Sequence, residues 1–120
     1  MRVVQHKVGG KHYGCFYELP DGRYIYLAHR RYSQVYRKRI AWCLDCSTLN
    51  RAGDYAAVAI GVAVKEGKKT YYYLTRPEDF WGAHSFINPD NPAQRGLPLN
   101  RFTITPAHDP AYIATKMRLR

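Results

Sequence analysis

The segment that most constrains the fold is Tyr55 to Val64, ten residues without a charged side chain. If this segment is a strand, one face carries β-branched residues and the other carries only small ones. The two sets are Val58, Ile60, Val62 and Val64 on one face, and Ala57, Ala59, Gly61 and Ala63 on the other. A strand that is apolar on both faces belongs in the middle of a sheet covered on both sides. The chain is therefore predicted to be built around this central strand.

Turn residues mark the strands around this segment. Pro20-Asp21-Gly22 and Glu66-Gly67-Lys68 are typical turn sequences, and each lies between two segments of strand composition. The predicted strands are Arg2–Val8, His12–Leu19, Arg23–His29, Ile40–Cys46, Tyr55–Val64, Thr70–Thr75 and Arg101–Thr105. The predicted fold class is α+β, a mainly antiparallel sheet with an N-terminal meander, a C-terminal hairpin and one or two short packed helices. A length of 120 residues suits a single domain, 1–120.

Three further segments are assigned from helical spacing, capping residues and prolines. From Arg30 to Trp42, the spacing of Tyr32, Val35, Tyr36 and Ile40 at i, i+3, i+4 and i+8 favours a helix that ends at about Arg39. Read as a strand, the segment also places apolar residues on one face. A short helical turn is predicted after Cys46, capped by Ser47 or Thr48 and ending at Gly53. Three prolines and no periodicity predict a long irregular loop from Gly82 to Asn100.

The charge of the chain points to an anionic partner. Nineteen Lys and Arg stand against nine Asp and Glu, a formal net charge of +10. Such an excess attracts polyanions, of which nucleic acid is the most common. We therefore predict a non-catalytic nucleic-acid-binding protein, with DNA slightly preferred over RNA. The predicted contact residues are Arg30, Arg31, Tyr32, Tyr36, Arg37, Lys38, Arg39, Lys68 and Lys69, extended by a basic tail at 116–120.

The cysteine count and the hydropathy of the chain predict its cellular compartment, its cofactors and whether it contacts a membrane. The cysteines are Cys15, Cys43 and Cys46, an odd number that predicts a reducing, cytoplasmic environment. Cys43 and Cys46 have C-x-x-C spacing, but a structural zinc site needs a second pair, so no metal or other cofactor is predicted. No run approaches 18 apolar residues, which predicts no membrane partner.

Two other functional classes stay open. Asp54 followed by Glu66-Gly67-Lys68 resembles the D…E-x-K pattern of the PD-(D/E)XK nucleases, which implies a metal-dependent nuclease. If both carboxylates were on one continuous strand, however, roughly 40 Å would separate them. A small ribonuclease using His29, with Asp45 nearby, is a second form of this hypothesis. The other class is a protein-binding inhibitor or adaptor of phage or mobile-element origin that uses the loop Gly82 to Asn100.

Overall fold

The computed structural model describes residues 2–30, 34–36 and 39–106, with the backbone alone at 8, 29–30, 34–36, 39–40, 66 and 105–106. Within these ranges one α-helix, α1 (Cys46–Asp54), accompanies two 3-10 turns, Pro77–Trp81 and Leu99–Arg101. The strands are β1 (Val3–Val8), β2 (Lys11–Glu18), β3 (Tyr24–Arg30), β4 (Gln34–Tyr36), β5 (Arg39–Asp45), β6 (Ala59–Glu66), β7 (Lys69–Thr75), β8 (Phe86–Ile87), β9 (Gln94–Pro98) and β10 (Thr103–Pro106).

Six of these strands form the main sheet, in the order β1-β2-β3-β6-β7-β10. The pairs are antiparallel except β3 with β6, which run parallel from Ile25 opposite Ala59 to Arg30 opposite Val64. The first three strands are the predicted meander, and β6 with β7 is the predicted hairpin. The α+β fold class is confirmed.

A second, antiparallel sheet of four strands has the order β4-β5-β9-β8. Since β3 and β6 are parallel neighbours, the chain between them must return to the starting end of the sheet. This crossover contains β4, β5 and α1. The predicted helical turn after Cys46 is α1, but it begins directly after Asp45 rather than at Ser47 or Thr48.

The predicted helix from Arg30 to Arg39 is wrong wherever the structure describes that segment. Arg30 ends β3, Gln34–Tyr36 is β4, and Arg39 begins β5; positions 31–33 and 37–38 lie outside the described residues. The helical stripe consisted of Tyr, Val and Ile, which also suit a strand. Pairing of β4 with β5 and of β5 with β9 gives the backbone its hydrogen bonds, and this tertiary context outweighs the local periodicity.

The segment predicted as an irregular loop, Gly82 to Asn100, contains two strands. The short strand β8 is an edge of the second sheet, and the longer β9 lies between β8 and β5. The pairing of β9 with β5 runs from Asp45 opposite Gln94 to Ala41 opposite Pro98. Pro98 is the last residue of β9 and lies beyond the two residues of β9 that pair with β8. β9 has only five residues, so its alternation of apolar and polar side chains was too short to predict a strand from the sequence.

The main core lies between the two sheets. Tyr26, Ile60 and Val62 of the main sheet pack in one cluster with residues of α1, the second sheet and the first 3-10 turn, namely Leu49, Ala52, Trp42, Leu44, Leu97 and Phe80. On the opposite face of the main sheet a smaller cluster contains Ile25, Leu27, Ala59 and Leu74. Residues on both faces of β6 are fully buried, as the sequence predicted for the central strand.

His6 is a buried polar residue at the contact between β1 and α1. Its side chain is 8% exposed, and its Nε2 lies 3.3 Å from the hydroxyl oxygen of Thr48 on α1. The rings of Phe16 and Tyr26 meet the imidazole edge-on. Burial, and then the positive charge of Arg51, lower the pKa of His6 below its ordinary value of 6.5.

We therefore expect acidification to destabilise the fold through His6. A lowered pKa means that the unfolded chain binds this proton more readily, so stability is lost as the pH falls below 6.5 and the loss is complete below the folded-state pKa. Melting temperatures between pH 7.5 and pH 5 should fall more steeply for the wild type than for His6→Gln. The exposed His84 provides the control, and His84→Gln should retain the wild-type slope. Parallel curves for the wild type and His6→Gln would contradict this role.

Candidate nucleic-acid interface

Strand direction brings the cations of three chain segments to one end of the main sheet. The β1–β2 turn and the β6–β7 turn lie at this end, and the parallel pairing places the carboxyl end of β3 between them, with Arg30 opposite Val64. We call this region the basic end. The residues at these strand ends and turns are Lys7, Lys11, Arg30, Lys65, Lys68 and Lys69.

The lysines of the basic end are exposed and form a row across the strands. The side chains of all five lysines are exposed to solvent. From β1 to β7 the row crosses four strand spacings of ~4.8 Å, which is about 19 Å. Glu66 is the acidic residue in this row, and three lysines surround it in the same hairpin.

Ion pairs in the described part of the chain lie elsewhere. Arg23 Nε is 2.6 Å from the carboxylate of Asp21 in the β2–β3 turn, and Arg51 is 4.0 Å from Asp54 on α1. The lysines of the basic end have no such partner among the described carboxylates. The five lysines repel one another and one acidic residue, Glu66, is among them, so an external anion would relieve the remaining repulsion.

At the opposite end of the main sheet, five acidic residues are balanced by five arginines. The acidic residues are Glu18, Asp21, Asp54, Glu78 and Asp79, and the arginines are Arg2, Arg23, Arg51, Arg76 and Arg101. The molecule is therefore electrically asymmetric along the strands. Such a field orients the protein as it approaches a polyanion and directs the basic end toward it.

Tyrosine side chains accompany the cations. The register of β1 against β2 shifts between His6 and Lys7, which makes Tyr13 the extra residue of a β-bulge. The ammonium of Lys11 lies 5.5 Å from the centre of the Tyr13 ring. Tyr71, on β7 two residues after Lys69, is half-buried. Tyrosine can stack on a base or donate its hydroxyl to a phosphate.

The structure brings together three of the predicted contact residues. Arg30, Lys68 and Lys69 lie at the basic end, whereas Tyr36 and Arg39 are opposite one another in the second sheet, across β4 and β5. The other predicted contacts lie outside the described residues, as does the basic tail. These are Arg31, Tyr32, Arg37 and Lys38.

The predicted contact set omitted Lys7 and Lys11. A signal for them existed in the sequence, because strand direction reverses at each turn of a meander. The Gly9-Gly10 turn must therefore lie at the same end as the carboxyl terminus of the third strand, where the Arg30 cluster begins. Charge density alone did not identify them, since the two lysines stand four residues apart among neutral neighbours.

The two cysteines of the C-x-x-C sequence are on different elements. Cys43 is buried on β5 beside Ala41 and Phe86, whereas Cys46 is the first residue of α1, not part of a strand as predicted. Within the described ranges, no group of three or more His, Cys, Asp or Glu side chains could hold a metal ion. The Asp45 carboxylate accepts a hydrogen bond from Gln94 at 2.9 Å.

The carboxylates of the nuclease-like pattern lie at opposite ends of the main sheet. Asp54 ends α1, near the start of β6, and Glu66 ends β6. The eight residues of β6 span roughly 23 Å at ~3.3 Å per residue, so the two positions cannot share a metal ion. The prediction of one continuous strand from Tyr55 is also wrong, since β6 begins at Ala59.

The comparisons with known proteins find no match: no family model fits the chain, and no curated protein or solved structure is significantly similar. Among the residues that the structure describes, no helix combines the length and the apolar character needed to cross a bilayer.

Proposed function

We propose that the protein binds nucleic acid without cleaving it, and that the basic end of the main sheet contacts the phosphate backbone. One observation carries the proposal: three separate strand ends and turns contribute six cations and one acidic residue, Glu66, to one end of the sheet, whereas arginines and carboxylates balance at the other. Neighbouring cations in a row neutralise successive phosphates and release the counterions condensed on them. Contacts of this kind position a protein on nucleic acid without reading its sequence.

Each residue of the interface has a defined role in this proposal. Lys7, Lys11, Lys65, Lys68 and Lys69 bind phosphate oxygens, and Arg30 extends the row between the two turns. Tyr13 and Tyr71 contact sugar or base edges. Arg31, Arg37, Lys38 and Arg39, with Tyr32 and Tyr36, enlarge the footprint as the charge pattern of the sequence predicts. Duplex DNA is the preferred partner, and the cytoplasm, with its reduced cysteines, is the proposed compartment.

The salt dependence of binding tests the proposal. If ~4–6 phosphates are neutralised, the logarithm of the association constant should fall with the logarithm of salt concentration at a slope of about −4 to −5 for duplex DNA. Fluorescence anisotropy of a labelled 20-base-pair duplex, titrated at several KCl concentrations, gives this slope. Gel analysis of the same samples with added Mg²⁺ should show intact DNA. Affinity independent of salt, or cleavage of the duplex, would reject the proposal.

A further inference from the structure

A second candidate site lies at the opposite end of the main sheet, away from the row of lysines. It is a cleft of about 290 Å³ between the segment that follows the first 3-10 turn and the β9 to Arg101 region. Its walls are formed by Asp79, Gly82, Ala83, His84, Leu97 and Arg101. We call it the Arg101 cleft. Its volume is close to the lower limit of ~300 Å³ for small-molecule sites, so it suits a small ligand.

Hydrogen-bond donors in this cleft favour an anionic group. Arg101 and His84 contribute their side chains, and Arg101 has no ion-pair partner among the described carboxylates. The backbone N–H groups of Ala83 and His84 donate no hydrogen bond within the described part of the chain. The Arg101 guanidinium and the exposed backbone at Ala83 and His84 are hydrogen-bond donors of the kind that bind phosphate.

Asp79 adds a hydrogen-bond acceptor to the donors of the cleft. One of its carboxylate oxygens, Oδ2, accepts hydrogen bonds from the Thr75 hydroxyl and from the Arg76 amide at 3.3 Å. These bonds hold the side chain at the start of the 3-10 turn and leave Oδ1 as an acceptor. A ligand that carries hydroxyl groups as well as an anion satisfies both Asp79 and Arg101.

An exposed aromatic residue is the chain neighbour of Gly82, which lines the cleft. Trp81 directly precedes Gly82 and is 51% exposed, an unusual state for such a large apolar side chain. The guanidinium of Arg95 lies 4.8 Å from the centre of its ring. Arg95 is itself fixed, because its Nε donates to the Phe80 carbonyl at 2.6 Å and a terminal nitrogen donates to the Ser85 hydroxyl at 2.8 Å. The indole is thus supported by Arg95 while about half of its surface meets solvent.

We propose that the Arg101 cleft binds one nucleotide unit. Arg101, His84 and the two N–H groups hold the phosphate, Asp79 accepts a hydrogen bond from a ribose hydroxyl, and the base stacks on Trp81. A free mononucleotide and the 5′-phosphorylated end of a strand present this same chemistry. The site is separate from the row of lysines and does not depend on backbone binding there.

Titration calorimetry with uridine 5′-monophosphate, uridine and inorganic phosphate tests this inference. We expect the monophosphate to bind at least ~10-fold more tightly than uridine, because only the monophosphate engages Arg101. Arg101→Gln and His84→Gln should each abolish that preference. Arg51→Gln, which removes the same charge on α1, outside the cleft and the basic end, should leave it unchanged. Melting temperatures confirm that the variants are folded.

Tryptophan fluorescence tests the stacking part independently. Trp42 is 2% exposed, so quenching by the added monophosphate should come from Trp81 and disappear in Trp81→Phe. Competition by a 5′-phosphorylated oligonucleotide, but not by its unphosphorylated form, would identify a strand end as the ligand, and its absence would identify the free nucleotide. Equal affinities for uridine and its monophosphate, or a preference that survives in Arg101→Gln, would overturn the inference.

Discussion

Replacing Lys7, Lys11, Lys68 and Lys69 together with glutamine should weaken duplex binding on the order of 10³-fold at 0.1 M salt. Each phosphate contact contributes about 0.9 to the salt slope, so four contacts account for a change of roughly 3.6. The wild-type slope of about −4 to −5 should therefore approach −1. The four residues are exposed, and glutamine keeps much of the aliphatic stem, so the melting temperature should stay close to that of the wild type. Anisotropy titrations over a range of KCl concentrations measure both quantities.

Two double variants, each carrying half of these substitutions, test whether both turns contact the same duplex. Lys7→Gln with Lys11→Gln changes the β1–β2 turn, and Lys68→Gln with Lys69→Gln changes the β6–β7 turn. If both turns meet the same duplex, each double variant should lower the slope by nearly 2, and the losses in binding free energy should add.

A matched control separates local contact from net charge. Arg51→Gln with Arg76→Gln also removes two charges, but Arg51 is on α1 and Arg76 follows β7 at the opposite end of the main sheet. This pair should change the slope by less than about 0.5. If the control weakens binding as much as either lysine pair, the interaction depends on overall charge and the basic end has no special role.

Local sequence rules predicted the elements whose register is set by turns. At the hairpins of Pro20-Asp21-Gly22 and Gly67, the strand ends that flank the turn lie within two residues of the predicted bounds, because turn chemistry and alternation agree there. The segments 30–39 and 82–100 were mispredicted, because their strands depend on pairing with β5. Neither β4 nor β9 has a strong period of its own, and such pairings over long sequence separations leave no local trace.

The same local sequence rules predicted only part of the candidate site. Charge clustering located Arg30, Lys68 and Lys69, but their proximity follows from the parallel pairing of β3 with β6. That pairing requires a crossover, and a helix assigned to residues 30–39 left the position of β3 relative to β6 open. The sequence did not predict the Arg101 cleft for a different reason. Its walls come from a 3-10 turn, an irregular connection and the end of β9, and none of these has a periodic hydrophobic pattern.

The close approach of β6 and β7 at Gly61 should make this position intolerant of any side chain. Gly61 pairs with Leu74, and a Cβ atom there would overlap the Tyr73 carbonyl oxygen and lie 2.9 Å from its carbonyl carbon. Both contacts are backbone atoms in the middle of the sheet and cannot rotate away. We expect Gly61→Ala to lower the free energy of unfolding by about 2–3 kcal/mol. In a chain of this length that corresponds to a fall in melting temperature of roughly 8–15 °C.

Gly53→Ala is the matched control, because it makes the same chemical change where space is free. Gly53 lies in the last turn of α1, and a Cβ atom there meets no other atom within 4 Å. Alanine has the higher helix propensity, so this variant should stabilise the protein by up to ~1 kcal/mol. Urea denaturation of the two variants should therefore shift the midpoint in opposite directions. A midpoint for Gly61→Ala at or above that of the wild type would mean that β6 and β7 do not approach so closely, and the packing described for the central strand would be incorrect.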